Sequence, residues 1–254
     1  EAIQRKRGQH PHCTNPVERA ACTWSVTKKG SSSKMTKKGS NKATFGPASP
    51  VQKVFWDDDD TDLIIFGGGA GGGKSAMARM KILKYVNCPK FEALFVRATN
   101  PQLEQSGGLW PTSVELYRQF GARFTSKPKK FKFPSGATVS MMPCQDDKAL
   151  ANFDGGEYSL ILIDEAQNHT FEQFNYLSGR NRSLSKYKSR MILTCNPLKG
   201  SWLLGFVEWY LDQVTGVPLP ERANVVRYYS IVKGNIVTAD SRKELVSKYP
   251  GATP

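Results

Sequence analysis

The chain has 254 residues, 39% of them hydrophobic, and carries 36 Lys and Arg against 22 Asp and Glu, a formal charge of +14. That length accommodates one large α/β domain with an appendage and excludes two full catalytic domains, while so basic a balance points to a polyanionic partner such as nucleic acid. Five scattered cysteines, Cys13, Cys22, Cys88, Cys144 and Cys195, exclude a disulfide framework and fit a reducing compartment.

No apolar run approaches the roughly 18 residues of a membrane span, and the amino-terminal stretch lacks the apolar core of a signal peptide, so a soluble intracellular protein with no membrane partner is expected. The chain opens at Glu1 without an initiator methionine, which is compatible with missing flanks. Residues 1–44 hold ten Lys or Arg against two Glu and show Gly, Ser and Lys repeats with almost no hydrophobic periodicity, the signature of a flexible basic arm. Such an arm either holds DNA phosphates or serves as a solvated tail. Within it His10, His12, Cys13 and Cys22 are zinc-ligand types, but their spacing is irregular for a four-ligand site.

The pattern changes at Phe45. A short helix is expected over 51–56, then an acidic turn of four Asp at 57–60, then a buried strand over 62–66. A glycine-rich loop follows, and a helix is expected over 74–86. A second apolar strand is expected over 93–97 and a helix over 110–120. A hairpin is then expected, with strands over 130–133 and 137–142 joined by Pro134, Ser135 and Gly136. Its basic stretch over 127–132 is read as a solvated face rather than a nucleic-acid contact. Apolar strands over 160–163 and 191–193 end in Asp164-Glu165 and in Thr194-Cys195-Asn196. A helix near 203–211, a strand over 223–231 and a last helix near 241–249 complete the chain. Short buried strands separated by helices predict an α/β fold with a mostly parallel sheet and helices on both faces. In such sheets ligands bind at the carboxyl ends of the strands, where the polar residues cluster here.

The segment Gly68, Gly69, Ala70, Gly71, Gly72, Gly73, Lys74, Ser75 matches G-x-x-x-x-G-K-S between a predicted strand and a predicted helix, the context a phosphate-binding P-loop requires. Glycines allow positive φ, so consecutive N–H groups can face phosphate oxygens at the helix N-terminus. Lys74 is expected to reach the β- and γ-phosphates, and Ser75 to offer its hydroxyl to Mg²⁺. Asp164 is the second expected metal contact, and Glu165 is expected to orient or deprotonate the attacking water. Thr194 and Asn196 are candidates for sensing the γ-phosphate. His169 receives no role.

Taken together, GGGAGGGKS, FVRATNPQLEQSGGLW, the FKFPSGATVSMM hairpin, FDGGEYSLILIDEAQ, FEQFNYLSGRNRS and LTCNPLKGSW resemble the ATPase domain of tailed-phage large terminase subunits over about residues 45–254. The resemblance implies a RecA-like P-loop NTPase that hydrolyses ATP with Mg²⁺. Such a motor moves double-stranded DNA into a procapsid through a portal, as part of a homo-oligomeric ring working with a small terminase subunit in the host cytoplasm. It also implies that Gln52 reads adenine. These terminases usually continue into a nuclease domain, for which this chain has no room. Some relatives carry an arginine before the P-loop lysine. None stands there in this chain, which leaves Arg97, Arg180 and Arg182 as candidates for stabilising transition-state charge. The other readings are a different RecA-like DNA-dependent ATPase or helicase, and a DNA-binding module with a structural nucleotide site.

Overall fold

A computed structural model describes residues 46–69, 71–196, 200–212, 214–232 and 235–236. The expected basic arm, the histidines and cysteines within it, Ala70 of the glycine loop and the expected helix near 241–249 lie outside the described residues.

Six parallel strands form the body of the sheet: β1 (Leu63–Gly68), β2 (Glu92–Arg97), β5 (Thr138–Pro143), β6 (Leu160–Ile163), β7 (Arg190–Thr194) and β8 (Val226–Val232). Their order is β5-β2-β6-β7-β1-β8. Antiparallel strands flank them, β4 (Lys129–Lys132) and β3 (Arg123–Ser126) beyond β5, and β9 (Asn235–Ile236) beyond β8. The expected hairpin is β4 with β5, closed by Gly136 at φ +98. The added strand β3 was not expected, because its sequence Arg-Phe-Thr-Ser carries a single apolar side chain.

Alternation along the strands sorts the core into two layers. From β1, Ile64 and Phe66 pack on one side with α1 (Pro50–Asp57), α2 (Lys74–Ile82), α3 (Asn100–Glu104) and α4 (Leu109–Arg118) through Phe55, Met77, Leu103 and Tyr117. Leu63 and Ile65 face the other side, against α5 (Phe171–Ser178) and α6 (Leu203–Tyr210) through Phe174, Leu177 and Leu203. Each such side chain contributes about 1.5–3 kcal/mol on burial, so both faces of the sheet must be covered, as the expected architecture requires. Phe55 stacks on Phe66 with centroids 4.5 Å apart, fixing α1 to the first strand.

Two boundaries differ from expectation by three residues or more, and α3 and α5 were not expected as helices. Helix α2 stops at Ile82 and continues as tighter turns, Tyr85 N–H to Ile82 O and Cys88 N–H to Tyr85 O. There Lys81 and Lys84 turn back to the end of α1, where both donate to Trp56 O. The last parallel strand begins at Val226 rather than 223, after a short 3₁₀ turn over Pro220–Arg222. The unexpected α5 is set by a reciprocal cap in which Thr170 accepts from Gln173 N–H and the Gln173 side chain accepts from Thr170 N–H.

Candidate nucleotide-binding site

Strand β7 lies between β1 and β6, with Phe66 in register with Thr194 and Ile163 with Leu193. The ladder continues past the strand ends, Cys195 N–H donating to Phe66 O and Asp164 N–H to Val96 O. Backbone pairing alone therefore brings the glycine loop, Thr194-Cys195-Asn196 and Asp164-Glu165 to one edge.

In the glycine loop Gly68, Gly71 and Gly73 take φ of +114, +78 and +73, conformations that side chains rarely adopt. Gly73 also caps α2, and a Cβ there would meet Gln52 Nε2 at 2.9 Å. The Gln52 amide donates to Gly72 O at 3.3 Å and accepts from Ala48 N–H at 2.8 Å, so the start of α1 rests on the loop.

Lys74 is buried, and its ammonium donates to Gly68 O and Gly69 O at 2.8 Å and to Asn196 Oδ1 at 2.9 Å. Burial lowers its pKa, opposed by the negative charge of Glu165 and Asp164. Burial likewise pushes the Cys195 thiol up to about 12, so this cysteine stays a neutral packing group.

Asp164 is fully buried, and its Oδ1 accepts from the hydroxyls of both Ser75 and Thr194 at 2.5 Å. Its Oδ2 has no hydrogen-bond partner and lies 3.2 Å from Arg97 Nη1. A carboxylate with an oxygen to spare, beside a serine hydroxyl, is a hard-oxygen donor set suited to Mg²⁺. Among the described residues no group of three or more His, Cys, Asp or Glu forms a metal cluster.

Glu165 takes φ +55 and ψ +52, an uncommon conformation for a residue other than glycine, and its N–H donates to Thr194 Oγ1 at 3.2 Å. Its carboxylate accepts from Gln167 Nε2 at 2.5 Å and from Asn196 Nδ2 at 3.4 Å.

Lys74, Ser75, Asp164, Glu165, Thr194 and Asn196 thus meet, with Gln52 beside them and Arg97 at the tip of the next strand. Arg180 and Arg182 do not join them. Arg180 O accepts from Tyr158 N–H, ahead of β6, so this pair sits at the amino ends of the strands. That is about 13 Å of strand away from the glycine loop, at about 3.3 Å per residue over β6. Arg180 pairs with Asp154 at 2.6 Å, and Arg182 is exposed. Gln167 joins the site unforeseen, since an amide two residues beyond a carboxylate carries no periodic signal.

The family description "Terminase large subunit, T4likevirus-type, N-terminal" matches residues 65–249. No curated protein matches the sequence. Among solved structures, the large terminase of a thermophilic bacteriophage in complex with ADP is 14% identical with a TM-score of 0.52, over 81% of this chain and 51% of that one. The same phage's large terminase in complex with ATP-gamma-S gives a TM-score of 0.51 at 12% identity, over 81% of this chain and 50% of that one. The large terminase ATPase domain of Thermus phage P74-26 gives a TM-score of 0.54 at 13% identity, over 82% of this chain and 89% of that one. The chain spans about half the length of the thermophilic phage's terminase. At these identities the structures establish a shared RecA-like fold, and the family match extends over most of the sequence. The chain belongs to the terminase large-subunit family and matches its N-terminal part.

Proposed function

We propose that the chain is the ATP-hydrolysing unit of a motor that drives double-stranded DNA into a viral procapsid. The carrying observation is the meeting of Lys74, Ser75, Asp164, Glu165 and Asn196 at the edge formed by β1, β7 and β6. Lys74 exchanges carbonyl contacts in its own loop for β- and γ-phosphate oxygens, while loop N–H groups at the start of α2 hold the remaining phosphate charge. Ser75 and Asp164 would hold Mg²⁺, which when bound neutralises charge on the phosphate oxygens. Glu165 orients the attacking water and takes its proton as in-line displacement proceeds. Thr194 and Asn196 touch both acidic residues and the lysine, and so register loss of the γ-phosphate. Gln52, resting on the loop, reads the adenine edge through its amide.

Residues 45–254 form the ATPase domain in this reading, and 1–44 a basic arm. The portal, the procapsid, a small terminase subunit and further copies in a ring are its partners in the host cytoplasm. Arg180 and Arg182, far from their own chain's glycine loop, act on a neighbour's nucleotide.

Steady-state ATP turnover tests the reading. Lys74→Ala should abolish productive nucleotide binding, whereas Glu165→Ala should keep nucleotide and lose turnover. Equal loss of binding in Glu165→Ala would refute its assignment, and little turnover in any form, DNA present or absent, would favour a structural nucleotide site. Strand displacement by the wild type would indicate a helicase instead.

A further inference from the structure

We infer that Gln167 is a positioning residue that aims Glu165; the inference rests on the hydrolytic role proposed for that glutamate. The Gln167 amide is engaged at both ends. Its Nε2 donates to Glu165 Oε2 at 2.5 Å, and its Oε1 accepts from Asn196 N–H at 3.1 Å. A carboxylate only accepts and a backbone N–H only donates, so the opposite amide orientation would forfeit both bonds. The two partners follow different strands, β6 and β7, and Gln167 ties them together.

Its own placement is fixed by the 3₁₀ turn Ala166–Asn168, in which Asn168 N–H donates to Glu165 O at 2.9 Å and the Ala166 side chain is fully buried. Glu165 needs such support. Its left-handed backbone is costly for a non-glycine residue, and the direct contact from Asn196 Nδ2 to its carboxylate is the longer one at 3.4 Å. Because Asn196 Oδ1 also accepts from Lys74, the path runs from phosphate-binding lysine to Asn196 to glutamate, with Gln167 as the brace that keeps the last link at fixed length.

The test compares wild type, Glu165→Gln, Gln167→Ala and Gln167→Glu in the full chain. Steady-state turnover of Mg-ATP, affinity for a fluorescent ADP analogue, and amide exchange at Asn196 by NMR are the readouts. Both Gln167 variants should lose about 10- to 100-fold in kcat, the scale of a 1 Å misplacement of a reacting group. Gln167→Ala should keep nucleotide affinity within about threefold, as expected for an interaction realised in the transition state.

Asn196 exchange should quicken in Gln167→Ala and stay slow in Gln167→Glu, because glutamate preserves the acceptor and removes only the donor. Matching kcat losses then assign the effect to the bond with Glu165. Unchanged kcat in Gln167→Glu beside an inactive Glu165→Gln overturns the inference and leaves the glutamate's role intact. Turnover that survives Glu165→Gln overturns both. Parallel loss of affinity and kcat in Gln167→Ala, or unaltered Asn196 exchange in that variant, also overturns the inference.

Discussion

Replacing Lys81 by methionine should destabilise the fold in a way that grows with pH. The Lys81 side chain is fully buried, and its ammonium donates to the carbonyls of Phe55 at 2.7 Å, Trp56 at 3.1 Å and Asp58 at 2.5 Å, closing the C-terminal end of α1. Asp59 Oδ1 lies 3.3 Å away. Methionine fills similar volume but donates nothing, and each carbonyl left without a donor costs about 1–3 kcal/mol. Trp56 O keeps a donor in Lys84, which leaves two carbonyls unpaired, so a loss of about 2–6 kcal/mol is expected.

Burial also brings the Lys81 pKa down to about 7 from its ordinary 10.5. Between those values the unfolded chain binds the proton and the folded one does not, so this group's contribution to stability increases as pH rises, by about 1.4 kcal/mol per pH unit. Below the lower value both states are protonated and the contribution is constant. Urea denaturation of wild type and variant at pH 7.5 and 9.5 should show the gap widening by about 2 kcal/mol. Taking the difference cancels the raised phenols of Tyr117 and Tyr229, which titrate alike in both proteins. A gap that stays constant would mean that Lys81 is charged throughout, and an unchanged or more stable variant would refute the capping role altogether.

Thr194→Val, nearly isosteric, removes a donor to Asp164 and the acceptor of Glu165 N–H; it should cost about 1–3 kcal/mol in stability and lower turnover, read by denaturation and ATPase assays. Gly67→Ala drives a Cβ to 2.7 Å from the Tyr228 ring, and overpacking of this kind costs about 1–3 kcal/mol, measurable as a lower denaturation midpoint. Arg180→Ala breaks a partly exposed pair with Asp154, so stability should change little. If Arg180 serves a neighbour, turnover should fall only in the assembled ring, which mixing with wild-type protomers would reveal.

The glycine-loop half of the candidate site was legible because it is local. A strand of four apolar residues, glycines, Lys-Ser and a helix follow one another in the chain, and each step has its own steric or electrostatic reason. The strands over 160–163 and 191–193 were legible as apolar runs, and their polar ends marked the site edge. What could not be read was adjacency. Nothing in the sequence says that β7 lies between β1 and β6, and hence that Asn196 touches Lys74. Gln167 was invisible for the same reason, since its partners come from two strand ends. Lys81 and Lys84 read as basic residues on a helix, and the four aspartates before β1 as an acidic turn. In the fold Asp59 lies 2.6 Å from Lys84 and 3.5 Å from Arg190, which seats the turn on the turns that follow α2 and on β7.

The central strand order has a mechanical meaning. Neighbouring strands in a sheet stand about 4.8 Å apart, so two spacings, roughly 10 Å, separate the backbones of β1 and β6, with β7 between them, and the side chains of Ser75 and Asp164 close that gap. A gap ruled by backbone pitch cannot be retuned by a swinging loop; it changes only by the reach of individual side chains, a methylene at a time.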